Sequence, residues 1–216
     1  MDTKLNYNVD FSIITCEDDR ILPNKYHVVI NLITVDENSS YQNIALERII
    51  FFIKEIFENS LLISLEHPKL EDIVNIWNPN HLAIFPEDPI DHIIGIILYH
   101  KLSAIIEEHL IIDNIVIKSD LSKVGYTVDD FSEFEQCDCE NCRDIIPWWN
   151  RSDISTTDFD QITQAISWKE IDLDWNRPEI SDDEEKLDVE FDPEVEQPEI
   201  VVLDGGNNKE LPTNDK

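Results

Sequence analysis

The chain has 216 residues, with 47 Asp and Glu against 16 Lys and Arg, and a formal net charge of −31. Such a charge repels phosphate backbones and anionic headgroups, so direct binding to nucleic acid or to a membrane surface is not expected. Of the four glycines only Gly95 and Gly125 precede the C-terminal tail, which leaves no material for a phosphate-cradling loop.

Two stretches rich in Val, Ile, Thr and aromatics, Tyr7 to Thr15 and Tyr26 to Val35, predict strands joined across Glu17–Arg20 and Pro23-Asn24 as a hairpin with a long loop. Asn38-Ser39-Ser40 supplies capping residues. Ile44, Leu46, Ile49, Ile50, Ile53, Ile56 and Phe57 then recur at helical spacing up to Asn59. Leu61 to Leu65 reads as a short strand and Leu70 to Trp77 as a short helix stopped by Asn78-Pro79. After a buried strand at His81 to Phe85, Asp88-Pro89 introduces a helix from Ile90 to Glu108 that is apolar almost all round, which predicts a central, covered position. Leu110 to Lys118 and Tyr126-Thr127-Val128 complete the order as strands.

The expectation is therefore an α+β fold, with two main helices on one face of a mostly antiparallel or mixed sheet and an order related to ferredoxin-like folds. Residues 1–175 form one domain in this reading, with 129–175 as a tryptophan-containing strap or extension. From Asn176 to Lys216 there are 14 acidic and 4 basic residues and few apolar ones, which predicts a disordered acidic tail over 176–216. No secretory signal is read after Lys4, and the apolar run Ile93–Leu98 is far short of the ~20 residues of a membrane span, so the protein is expected in the cytoplasm.

Cys137, Cys139 and Cys142 carry the spacing of a zinc knuckle. A fourth donor would have to come from Cys16 or a histidine, and free thiols in a loop are the other reading. Acidic neighbours such as Glu135, Asp138 and Glu140 disfavour a thiolate unless a cation is bound. The six histidines make no His-x-x-x-His pair and read as structural. No triad or paired-carboxylate constellation stands out, and no catalytic residue is assigned. Trp148, Trp149 and Arg151 suit a partner-docking patch by residue type, while a strap lapping over the sheet or helices is the competing reading.

The run from Phe85 to Glu108, FPEDPIDHIIGIILYHKLSAIIEE, together with Asn43–Ile53 and Pro147-Trp148-Trp149, resembles segments of uncharacterised proteins of large T4-like tailed bacteriophages. That resemblance implies a phage-encoded protein acting in the host cytoplasm and assigns no activity to any residue. The function expected is non-enzymatic protein–protein interaction. The alternatives are an acidic mimic of nucleic acid, blocking a DNA- or RNA-binding protein, and a zinc-dependent protein centred on the cysteines.

Overall fold

The structure, a computed structural model, describes residues 3–17, 20–35, 39–78, 81–130, 146–158 and 166–177. Of the tail predicted over 176–216, Asn176 and Arg177 are described, whereas 178–216 and the Cys137–Cys142 cluster lie outside the described residues. The chain divides into the units Met1–Glu179 and Ile180–Lys216, and everything below concerns the first.

Strand β1 (Lys4–Glu17) pairs antiparallel with β2 (Arg20–Thr34) along its whole length. Alternation turns Val9, Phe11 and Ile13 of β1 and Tyr26, Val28, Ile30 and Leu32 of β2 to one buried face. The long loop expected around Pro23-Asn24 is instead strand, with Pro23 opposite Ile14. The physical reason lies in the register: β5 pairs with β2 only from Tyr26 onward, so the donor that Pro23 lacks faces a stretch with no neighbouring strand.

Helix α1 (Ser39–Phe51) passes into a widened π-helical turn, Phe52–Phe57, where a single helix to Asn59 was expected. The wider turn brings Phe52, Ile53 and Phe57 all into the core. Asn59 then adopts φ 63°, its N–H donating to Ser12 O, and Ile14 N–H donates to Ser60 O. These bonds lay β3 (Leu61–Ser64) parallel to β1 at Ile14–Cys16. Helix α2 (Leu70–Ile76) leads to β4 (Leu82–Phe85), parallel to β3. Helix α3 (Asp91–Ile106) crosses to β5 (Leu110–Ser119), antiparallel to β2, and β6 (Gly125–Val128) pairs with β5.

The result is an α+β fold on a six-stranded mixed sheet of order β4-β3-β1-β2-β5-β6. Helices α1 and α3 pack in one core with Val9, Phe11, Val28, Ile30, Ile115 and Ile117 of the sheet. A smaller cluster of Cys16, Leu61, Ile63, Leu82 and Ile84 sits under Leu70, Ile73 and Val74 of α2, on the opposite face. Cover on both faces is why every residue of β3 and β4 is buried, as parallel strands generally are. In α3, Gly95 permits close approach to the sheet: a Cβ there would lie 2.9 Å from Ile117 Cγ2 and 3.0 Å from Val128 Cγ2.

Candidate functional site

The residues expected at a partner-facing surface, Trp148, Trp149 and Arg151, begin a segment that the structure lays over β4 and α3. Trp148 is 1% exposed and Trp149 7%, so both indoles lie in the core. Trp148 Nε1–H donates to Ile84 O at 2.8 Å, and its ring meets Phe85 edge-on at 6.0 Å. Farther along, Ile84 N–H donates to Thr156 O, and Thr156 Oγ1 donates to Leu82 O at 2.6 Å. The outer edge of β4 is thereby closed by its own chain. Arg151 folds the same loop, donating from Nη2 to Ser155 Oγ (2.9 Å) and Thr157 O (2.8 Å) beside Asp153 and Asp158. This packing is that of the strap; neither indole presents more than a sliver of surface.

Two buried cations anchor the C-terminal segments, and sequence reasoning named neither. Lys101 of α3 is wholly buried, and its Nζ donates to Trp148 O (2.9 Å), Arg151 O (3.0 Å) and Asp153 O (2.7 Å). Burial pushes its pKa down to about 7, opposed by the nearby Asp153 carboxylate, while three carbonyls match the three hydrogens of the charged ammonium. Arg48 of α1 is 2% exposed and donates from Nε to Leu173 O (2.9 Å) and from Nη1 to Ile105 O (3.1 Å). Its guanidinium lies between the rings of Trp168 (4.7 Å) and Trp175 (3.7 Å), a cation–π sandwich. The signal was present in the sequence: Lys101 is the lone Lys or Arg in a helix otherwise too apolar to face water.

Of the cysteine and histidine candidates, Cys16 and His67 come together, buried at 4% and 8%, with Cys16 Sγ 3.6 Å from His67 Nε2. Lys69 N–H donates to His67 Nδ1, which puts the proton of the neutral ring on Nε2, pointing to sulfur. Cys137, Cys139 and Cys142 lie outside the described residues, and among the described residues no group of three His, Cys, Asp or Glu is placed to hold a metal.

Among the described residues, the surface left open is the sheet face opposite α1 and α3, across β1, β2, β5 and β6. Its rows follow from the register: Asn8–Val29–Val116–Thr127, Asn6–Asn31–Asn114 and Lys4–Ile33–Ile111. Asn31 Nδ2 donates to Asn114 Oδ1 at 2.6 Å, and Ile111 is 50% exposed. At one end His27 bridges two carboxylates, with Nδ1 2.8 Å from Asp10 Oδ1 and Nε2 2.9 Å from Asp120 Oδ1. Lys25 Nζ meets Asp10 Oδ2 at 2.9 Å. Hydrogen bonds to Asp10 and then Asp120 raise the His27 pKa, and those from Lys25 and His27 lower that of Asp10. Both ring nitrogens facing carboxylates is the arrangement of an imidazolium.

No protein-family model matches the chain, and no curated protein matches it. Among solved structures it is similar to the crystal structure of an uncharacterised protein from Wolinella succinogenes, at 11% identity and TM-score 0.44, covering 60% of this chain and 99% of that one. Among the described residues no helix is long and apolar enough to cross a membrane.

Proposed function

We propose that this is a non-enzymatic protein that acts by binding another protein, in the host cytoplasm that its resemblance to phage proteins implies. The observation that supports this reading is the open sheet face: helices cover the other side, and α2 covers only the β3–β4 end. On that face Val29, Val116, Ile33 and Ile111 stand beside Asn31 and Asn114, apolar area for a partner to cover next to polar groups that can bond it. The test is affinity capture with the intact chain and with Val116→Arg, which plants a charge in the middle of that face. Loss of the captured protein with an unchanged melting temperature supports the reading; an unchanged captured set sinks it.

A second reading rests on the net charge of −31: an acidic mimic that occupies the basic groove of a DNA- or RNA-binding protein. Duplex DNA should then displace the captured partner, and binding should weaken steeply between about 50 and 200 mM salt. Capture that resists both excludes mimicry.

A further inference from the structure

The strap closes the β4 edge, but the sheet keeps a second edge inside its span. Strand β1 meets β3 only at Ile14–Cys16, so on that side the residues from Lys4 to Asp10 have no strand beside them among the described residues. The hairpin fixes which main-chain groups face outward. Thr3 O accepts from Thr34 N–H on the β2 side, whereas Ser12 O and Ile14 N–H bond away from β2, to Asn59 and Ser60. Even-numbered residues of β1 therefore point their N–H and C=O outward. Lys54 Nζ caps Asp10 O, but no described residue bonds the main chain of Asn6 or Asn8, and both residues are exposed.

We propose that this edge pairs antiparallel with the same edge of a second copy of the chain, about a two-fold axis at Tyr7. In that register Asn6 faces Asn8 of the other copy and each exchanges both main-chain hydrogen bonds with its partner residue. The side chains also match. Lys4 stands opposite Asp10, Leu5 opposite Val9, and Tyr7 opposite Tyr7. Leu5 is 40% exposed and Tyr7 half-buried, so the pairing covers apolar surface that the single chain leaves in water. A shift by two residues sets Lys4 against Asn8 in one direction and against Ser12 in the other, and loses the charge match in both.

The interface is short, at the low end of specific contacts, and two chains of −31 repel. The dimer is accordingly weak, formed at roughly 100 µM and favoured by salt that screens the repulsion over about 10 Å or less.

Sedimentation equilibrium of the full chain at 0.5 M salt tests this, with Asn8→Pro as the decisive variant. That substitution removes an N–H that no described residue of the single chain bonds, so its stability should be kept while dimerisation is lost. Amide hydrogen exchange of the unaltered chain covers the case in which the variant folds poorly. The Asn6 and Asn8 amides should slow at least tenfold between 5 and 500 µM protein on the order of these concentrations, while Leu5 and Tyr7, bonded to β2, stay slow throughout. A monomer at every concentration, with fast exchange at Asn6 and Asn8, overturns the proposal and leaves this edge to a strand from another protein. A dimer that Asn8→Pro does not disturb overturns it as well.

Discussion

Lys101 holds three carbonyls of one loop, and the two tryptophans of that loop fill the space beside it. Each needs the other: without the ammonium the carbonyls of Trp148, Arg151 and Asp153 lose their donor, and without the indoles the ammonium meets water. Lys101→Met should cost about 2–4 kcal/mol, because acceptors left without a donor carry their full desolvation penalty. Trp149→Ala, at a site 7% exposed, should cost about 3–5 kcal/mol in denaturant unfolding, the range of aromatic core truncations. A loss under about 1 kcal/mol would return Trp149 to the partner-facing surface. His27 gives the pH dependence. Its folded pKa is raised by Asp10 and Asp120, so its contribution to stability is fully present below the unfolded value near 6.5 and is lost as pH rises through the folded value. An NMR titration should place the His27 midpoint above that of an ordinary histidine, and Asp120→Asn should bring it down.

At the scale of elements, α3 has one flank on the sheet, one against α1 and one under the strap, which explains a helix with hardly a polar stripe. Gly95 sets its distance from β5 and β6. Gly95→Ala adds a methyl against Ile117 and Val128, whose strand positions leave them little room to move. Overpacking of about 1–3 kcal/mol is offset in part by the ~1 kcal/mol that alanine gains over glycine in a helix. The expected net is a loss of about 1 kcal/mol by urea unfolding, where an exposed helical glycine would show a gain.

At the scale of the molecule, the C-terminal boundary of the fold is set by contacts rather than by charge. Arg177 Nη1 reaches Glu47 at 2.9 Å, and Trp175 lies on Arg48. Truncation after Glu179 removes a segment too acidic and too poor in apolar residues to add a core, and the melting temperature should stay within about 5 °C. Truncation before Trp168 takes away the sandwich around Arg48 and strands a buried guanidinium, and it should lower the melting temperature by more than 10 °C on the order of several kcal/mol. Calorimetry of the two shortened chains separates these outcomes.

The order of strands and helices was legible in the sequence, since apolar spacing reports which face of each element is buried and Pro, Asn and Gly mark where elements stop. The all-apolar run of Ile93–Leu98 announced a covered helix, and the short runs at Leu61 and Leu82 announced strands without a wet face. What that local pattern lacks is any record of distant neighbours. Lys101 bonds a carbonyl 47 residues away and Arg48 one 125 residues away, so even where the apolar helix around Lys101 hints at burial, the acceptors that hold both cations are invisible until the chain closes. The same holds for Trp148 and Trp149, whose residue type suits a docking patch and a core equally. Only the tertiary structure chose between them, by setting a β4 edge with unpaired main chain and a buried ammonium where those indoles could lie.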